Sequence, residues 1–467
     1  MGAVELTRAA AIEAAHRWIN GDLPTGRPRR VCAHEFELGW VVWAEPPPVR
    51  VDPLTGERRA PEEIGAACAV VDRVDGRFTV WPSVPVAEVV ELYRDFVGAG
   101  AYDPARPPAT GRGTRAELTY RDGLGRERVL ALRSAPGLPH PALRGWWWLR
   151  EQGVRAEDVL AVHTDLRLSA LPGGYWAYAL AAELPAARIG FDLPYGPRFE
   201  HRAAAVRALP VEPGTAGPAR NRVPFPRALP SRPAEPPFVD SPPAERLPAE
   251  PDAQVEHALA ERLAARFGPG GVRRFGAADI TRADLRADDA RVLLTVGVPV
   301  AVDGYFALHD PRPDAVLGGA HSTAAHPTTA AHPTAPASLL PPVAEYLAAA
   351  GRGSRVAERE RRALAPQLVL GTDGWALITL DTACGAVRAV DPDYGTARHC
   401  NGSLAAFVRS LELFAGRLPG LRGLDPEAAG AAVAELQRGL AAVDPEVFAD
   451  PENWWAVIVE QLWDGLL

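Results

Sequence analysis

One stretch in the middle of the chain indicates how the segment around it folds: HTDLRLSALPGGYW, at residues 163–176. Its first residues complete a strand-like run, DVLAVHT, and its Pro-Gly-Gly turn leads into a helical run, GGYWAYALAAEL. After it, ARIGFDL and FEHRAAAVRAL predict a strand and a helix. Before it, AELTYRDGLGRERVLAL predicts a β-hairpin and PALRGWWWLREQG a helix. Because strands and helices alternate, we expect residues 115–209 to form a three-layer α/β domain.

Two further segments flank this one, and both mix helices with strands. Residues 1–100 combine a helix near the N-terminus, several strand-like runs and a second helix, VAEVVELYRDFV. Residues 252–467 combine helices with a strand meander, LVLGTDGWALITLDTACGAVRAV, and end in the helix PENWWAVIVEQLWDGLL, whose tryptophans we expect to be core. The predicted fold class is therefore α+β multidomain, with a small α+β N-terminal unit and an α+β C-terminal domain.

Two segments of biased composition lie between or within these domains. Residues 210–251 hold 13 prolines in 42 positions. Because proline fixes φ and has no N–H donor, we expect an extended linker there; a PxxP partner motif is the alternative. A run rich in His, Thr and Pro at 318–340 contains His321, His326 and His332. Its composition favours a disordered insertion in the C-terminal domain over a metal site.

Composition and charge limit the classes of function. No run of about 18 apolar residues is present, so we expect no membrane span. Charged residues within the first 20 positions favour an amphipathic helix over a signal peptide. Four cysteines without a Cys-x-x-Cys pair indicate free thiols in a reducing cytoplasm. Residues 252–467 hold 19 Arg against 27 acidic residues and account for the whole net charge of −8. This charge favours a basic protein partner and disfavours direct binding of nucleic acid.

The stretch TDLRLSALPGGYW follows a pattern known from one group of proteins, T-E-L-x-P-C-x-L-P-G-x-Y-C. It matches that pattern at Thr164, Leu166, Leu171, Pro172, Gly173 and Tyr175. On these residues, and on the order of its strands and helices, the segment resembles the nucleic acid deaminase-like domains of bacterial polymorphic toxin systems. The resemblance implies a fold that holds zinc through one His and two Cys, with a Glu two residues after the His to transfer protons.

This chain replaces most of the residues that the resemblance implies. His140 stands at the metal-binding His, but Ala142 stands at the Glu, and Ser169 and Trp176 stand at the two Cys. A serine hydroxyl is not ionised near neutral pH, an indole offers only an N–H donor, and a lone His cannot hold zinc. We therefore predict a pseudo-enzyme domain without catalytic residue, metal or cofactor. The ring of Trp176 is expected to fill the volume of metal and water.

The flanking segments have resemblances of their own. HEFELGWVVWAE followed by ACAVVDRVDGRFTVWPS is similar to the immunity protein 35 (YrhB-like) family, over residues 1–100. The C-terminal segment resembles the fourth group of the SUKH superfamily of immunity proteins. It does so in its strand meander, in NGSLAAFVRSLELF and in its Trp-rich end. Both families imply inhibition of a toxin by direct contact, without a cofactor.

Together the three resemblances predict a cytoplasmic, non-catalytic immunity-type protein that binds and neutralises a toxin, with a nuclease or deaminase toxin as the expected partner. The middle domain would be a relic, a decoy or a docking module. Two alternatives stay open. One is a divergent zinc-dependent deaminase of nucleic acids or nucleotides, in which His163 and His140 join ligands from elsewhere. The other is a protein–protein scaffold.

Overall fold

A computed structural model of the chain describes residues 6–21, 28–45, 50–51, 58–59, 68–74, 76–81, 83–97, 102–210, 220–225, 253–310 and 338–467. The chain forms two compact units. The first comprises Met1–Tyr102 and Pro224–Glu245, and the second comprises Asp103–Val223 and Arg246–Leu467. Helices and strands occur in both units, so the predicted α+β multidomain class is confirmed. Within the described ranges no helix is both long and apolar enough to cross a membrane.

In its described residues, the first unit contains a sheet and two helices that pack on it. Its elements are α1 (Arg8–Asn20), β1 (Val31–Phe36), β2 (Gly39–Ala44), β3 (Arg50–Val51), β4 (Arg58–Arg59), β5 (Cys68–Asp72), β6 (Phe78–Trp81) and α2 (Val86–Val97). Four antiparallel strands pair in the order β1-β2-β5-β6. The α1 helix begins after Thr7, whose hydroxyl accepts from the Ala10 N–H, and its small residues Ala11 and Ala15 pack on the sheet. The small α+β unit expected at this end of the chain is therefore present.

The first part of the second unit contains the strands and helices predicted around the opening stretch. They are β7 (Arg115–Arg121), β8 (Glu127–Arg133), α3 (Pro141–Glu151), β9 (Val159–Leu166), α4 (Trp176–Glu183), β10 (Arg188–Leu193) and α5 (Phe199–Ala208). The strands pair in the order β10-β9-β7-β8. The β9–β10 pair is parallel, and the other pairs are antiparallel.

Helices pack on one face of this sheet, while side chains on the other face are exposed to solvent. On one face α3 and α4 pack over Ala116, Leu118 and Val162 to form an apolar core. On the other face the side chains of Val129 and His163 are exposed. Strands and helices therefore alternate as predicted, while the described helices α3 and α4 lie on a single face of the sheet.

The remainder of the second unit is built on a larger antiparallel sheet. Its helices are α6 (Ala253–Phe267), α7 (Ala277–Ala283), α8 (Ala287–Arg291), α9 (Val343–Ala349), α10 (Glu358–Leu364), α11 (Leu404–Arg417), α12 (Pro426–Val443) and α13 (Trp454–Trp463). Its strands are β11 (Val272–Arg273), β12 (Val298–Pro299), β13 (Ala301–Val302), β14 (Phe306–Leu308), β15 (Gln367–Thr372), β16 (Leu377–Asp381), β17 (Val387–Val390) and β18 (Ala397–Asn401). Six strands pair in the order β13 to β18, and the predicted meander corresponds to β15–β17.

The terminal helix α13 is buried over its whole length. Each of its three tryptophans donates its indole N–H inside the C-terminal core. Trp454 donates to Asp373 Oδ2 at 2.8 Å, Trp455 to Asn401 Oδ1 at 2.9 Å, and Trp463 to Gln437 Oε1 at 2.7 Å. Because a buried indole N–H needs an acceptor, these bonds fix the rotation of the helix. The prediction that these tryptophans are core is confirmed.

Most of the predicted linker at 210–251, and most of the predicted insertion at 318–340, lies outside the described residues. The described piece 220–225 is packed. Asn221 is buried, and its side-chain amide donates to the carbonyls of Asp103, Arg106 and Pro107 at 3.1, 3.0 and 2.8 Å. Asn221 is therefore held against the chain near residues 103–109 of the same unit.

Candidate functional site

The candidate site is the loop from Arg167 to Tyr175, which we call the LPGGY loop, together with the start of α3. The loop leaves β9 at Leu166 and turns through Gly173, Gly174 and Tyr175, which have φ angles of 105°, 138° and 46°. A positive φ favours glycine, which occupies the first two of these three positions. A side chain at Gly174 would also collide with the Trp176 ring, 2.3 Å from the position of a Cβ. The two glycines of the opening stretch are therefore required by the turn that starts α4.

His140 acts as the N-cap of α3. Its Nδ1 accepts a hydrogen bond from the Ala142 N–H at 3.2 Å, and only 4% of the residue is exposed. Burial, reinforced by the nearby Arg144 cation, lowers the pKa of His140 to about 3. The ring is therefore neutral at physiological pH, and one of its two nitrogens is already committed to the helix.

Ala142 and Trp176 meet the same apolar core. Ala142 is fully buried in the cluster that α3 and α4 form over the sheet, and the half-buried Trp176 packs against that cluster. The indole Nε1 of Trp176 is buried without an acceptor among the described residues. Since Ala142 has no group that can carry a proton, this corner of the domain is apolar packing.

Ser169 faces the C-terminal helix. Its hydroxyl lies 3.4 Å from Gln461 Oε1, and the Gln461 amide in turn donates to the Pro172 carbonyl at 2.7 Å. Gly173 lies against Leu467, so that a Cβ there would come 2.7 Å from the leucine Cδ1. The LPGGY loop thus docks on α13 and the residues that follow it.

Asp373, in the turn after β15, anchors the end of the loop. Its Oδ2 accepts from the Tyr175 hydroxyl and from Trp454 Nε1, both at 2.8 Å. Its Oδ1 accepts from the backbone N–H groups of Trp375 and Ala376 at 3.2 and 2.8 Å. Burial raises the pKa of Asp373, while these four donors act in the opposite direction. One buried carboxylate therefore joins the middle domain, the sheet and α13.

A second polar link joins α5 to α13. Arg202 is fully buried, and its guanidinium lies 2.7 Å from Glu460 Oε2 and 3.3 Å from Glu452. Burial alone would lower the pKa of Arg202, but the carboxylates of Glu460 and Glu452 raise it above its usual value. Burial raises the pKa of Glu460, and Arg202 opposes that shift. The pair is a buried, hydrogen-bonded ion pair.

An apolar cluster accompanies these polar links in the same contact. It consists of residues from the middle domain and from α13 and the chain end: Leu166, Leu171, Tyr195, Ala205, Val457 and Leu466. The contact is therefore built like a domain core with two polar anchors, which is typical of a permanent association and not of a transient one.

His163 does not join His140. It lies on β9 with its ring on the open face of the sheet, 48% exposed, and its Nε2 is 2.9 Å from Asp192 Oδ1. His140 caps α3 on the covered face. In the described part of the chain, no three His, Cys, Asp or Glu side chains are grouped so that they could hold a metal ion. The residues at the implied zinc positions do not fit zinc, since His140, Ser169 and Trp176 offer one imidazole and no thiolate.

The docking residues were missed by sequence reasoning. Arg202, Asp373 and Glu460 carry no motif for docking, and the partners that bring them into the contact lie far away along the chain. One signal was available: Glu460 and Gln461 interrupt the otherwise apolar run WWAVIVEQLW. Adjacent polar residues in a buried helix need partners. They indicate that this helix has a second packing face besides its tryptophan core.

A pH dependence of stability follows from His140. Its pKa is about 3 in the folded chain and near 6.5 when unfolded. Between these values the unfolded state binds more protons, so stability is present above pH 6.5 and is lost as the pH falls towards 3. Between pH 7 and pH 5, the free energy of unfolding should therefore fall by about 2 kcal/mol less in His140→Asn than in the wild type. The asparagine keeps a side-chain acceptor at the N-cap but does not titrate.

The measurement is urea unfolding of the full chain and of the variant at both pH values. The free energies of unfolding of the wild type and of His140→Asn should be similar at pH 7. The difference between the two proteins should be larger at pH 5. If the two proteins lose equal stability on acidification, His140 is not buried as a neutral cap.

Comparison with families of known proteins covers nearly all of the described chain. The model of an immunity protein 35-like domain matches residues 9–101, that of a Xanthomonas-like deaminase residues 111–210, and that of a SUKH-4 immunity protein residues 258–461. The three resemblances expected from the sequence are confirmed. Neither a search of curated proteins nor a search of solved structures returns a significant match. Two immunity-protein domains around a deaminase-like domain support an immunity-type role.

Proposed function

We propose that this chain is a non-catalytic, cytoplasmic immunity protein that binds and neutralises a toxin protein of a bacterial polymorphic toxin system. The proposal builds on two immunity-protein families in one chain. Families of this kind act by contact, so the function needs a binding surface and no cofactor. A nuclease or deaminase toxin is the expected partner.

The non-catalytic part of the proposal is supported by one observation: the residues of the LPGGY loop contact the C-terminal domain. Ser169 and Pro172 contact Gln461, Tyr175 contacts Asp373, and His140 caps α3. Each position that would serve zinc chemistry in the deaminase family has a packing or docking contact instead. In this proposal, the LPGGY sequence is retained because the loop provides the surface on which the C-terminal domain packs. The middle domain then acts as a docking module.

Charge supports a basic partner. The stretch 252–467 holds 19 Arg against 27 acidic residues, whereas residues 1–209 are balanced at 26 against 26. An acidic domain accelerates association with a basic protein and disfavours contact with a nucleic acid backbone. Binding to such a toxin should therefore weaken as the salt concentration rises.

Co-expression with toxins encoded by neighbouring genes tests the proposal. We expect the full chain to restore growth against one of them and to copurify with it. His163→Ala serves as the matched control, because His163 is exposed and lies away from the docking contacts. It should rescue as well as the wild type.

Metal content and turnover separate this proposal from its alternatives. Purified full chain should contain no stoichiometric zinc and should not deaminate cytidine, adenosine or single-stranded nucleic acid. Stoichiometric zinc with turnover that His163→Ala abolishes would establish the divergent deaminase. Failure to bind any neighbouring toxin, combined with capture of one constant cellular protein, would favour a scaffold.

A further inference from the structure

We propose that the β10 strand pairs antiparallel with β10 of a second copy of this chain, so that the two middle-domain sheets form one continuous sheet across a two-fold axis. The inference concerns self-association and is independent of the proposed function. It rests on an edge strand whose outward backbone groups pair with no other described strand and whose side chains are exposed on both faces, with Asp192 also in contact with His163 of its own chain.

The β10 strand is at the edge of its sheet. It pairs only with β9 among the described strands, and its pairing runs without a bulge from Arg188 to Leu193. Its side chains are accessible on both faces, including the apolar Ile189 at 42% and Phe191 at 41% exposure. Natural edge strands are usually protected by proline, lysine, bulges or covering loops, because an open edge pairs readily with another strand. The run RIGFDL contains no proline, and its two charged side chains, Arg188 and Asp192, are opposite in sign.

The direction of the backbone groups can be read from one hydrogen bond. The Leu193 carbonyl accepts from the Arg167 N–H at 2.9 Å, on the β9 side of the strand. Backbone groups of successive strand residues point alternately to the two sides. The N–H and C=O groups of Arg188, Gly190 and Asp192 therefore point away from β9, into the space where a partner strand would lie.

The side chains are self-complementary in a single register. If the two-fold axis passes through Gly190, Arg188 lies opposite the partner's Asp192, and Ile189 lies opposite the partner's Phe191. One face of the junction then carries two ion pairs and the other face two apolar pairs. A shift of two residues in either direction places a charged side chain opposite Gly190 and removes both ion pairs. This complementarity is the reason to choose a second copy over a strand of a different protein.

The other edge of the same sheet is less open. The Arg133 carbonyl at the end of β8 already accepts a hydrogen bond from the Arg144 guanidinium. Ser134, which follows it, bonds towards β7, so Arg133 belongs to the residues whose backbone groups point outwards. An incoming strand would have to displace Arg144 there. Among the described residues, no side chain bonds to the outward backbone groups of β10, and the contact of Asp192 with His163 leaves those groups accessible, which makes β10 the preferred pairing site.

Charge reversal with the full chain tests the proposal. Sedimentation equilibrium from about 1 to 100 µM should give a dimer of the 49.9 kDa chain. Arg188→Asp and Asp192→Arg should each weaken dimerisation by at least about tenfold, because each places like charges opposite one another across the junction. The double variant Arg188→Asp/Asp192→Arg restores opposite charges in the same register and should restore the dimer.

Three results would contradict the proposed pairing of two β10 strands. A wild-type chain that stays monomeric over this range overturns the proposal. So do single variants that dimerise normally, or a double variant that stays as weak as the single ones, since both results rule out this register. Circular dichroism of all four proteins shows whether they are folded, and we expect them to be, because Arg188 and Asp192 are exposed.

Discussion

Replacing Arg202 with methionine is expected to destabilise the contact between α5 and α13 by about 3–5 kcal/mol, because it removes the cation that is hydrogen-bonded to the buried Glu460 and leaves only the weaker attraction of Arg222. Glu460 is fully buried, and its carboxylate lies 2.7 Å from the guanidinium. Hydrogen exchange of the α13 amides in the full chain measures the effect, since it reports the local opening free energy without requiring two-state unfolding of every domain.

The double variant Arg202→Met/Glu460→Met is the matched control. Removal of both charges avoids an unpaired buried carboxylate, and apolar replacements of buried ion pairs are often tolerated. We expect this variant to recover most of the protection lost in Arg202→Met. Equal loss in the single and double variants would mean that the cost comes from packing and not from the unpaired charge.

Replacing Asp373 with alanine is expected to cost about 3–5 kcal/mol, because it leaves four hydrogen-bond donors without an acceptor. Two of these donors, the Tyr175 hydroxyl and Trp454 Nε1, are buried side-chain groups on either side of the domain contact. The variant should therefore loosen both the LPGGY loop and α13. Hydrogen exchange in residues 167–175 and in α13 should increase together.

Tyr175→Phe provides the graded control for Asp373. It removes one donor and leaves the other three bonds to the carboxylate intact, so the expected cost is about 1–2 kcal/mol. Its increase in exchange should be confined to the LPGGY loop. If Asp373→Ala disturbs only the turn after β15, the carboxylate does not couple the two domains as described.

These contacts give the middle domain a structural role that does not depend on catalysis. The LPGGY loop, which lies in the segment similar to a deaminase, is here an anchor for the terminal helix of the segment similar to SUKH-4 immunity proteins. Contacts with Gln461, Leu467 and Asp373 stabilise it in this chain.

Most of the local structure could be predicted from the sequence. The strands and helices around residues 163–176 follow from hydrophobic periodicity and from the Pro-Gly-Gly turn, which act within a few residues. Local patterns could not predict that α3 and α4 pack on one face of the middle-domain sheet and leave the other face exposed. This arrangement depends on where α5 packs, and α5 is drawn to α13 by Arg202 and by the apolar cluster around Val457.

The sequence by itself determined which chemical groups are present: one imidazole, one hydroxyl, one methyl and one indole at His140, Ser169, Ala142 and Trp176. Only the tertiary structure decided their environment. The neutral state of His140 comes from burial, and the docking of the loop comes from contacts between residues almost 300 positions apart, such as Ser169 and Gln461. Local patterns set side-chain types and backbone periods, whereas burial and partner distance depend on which surfaces meet after folding.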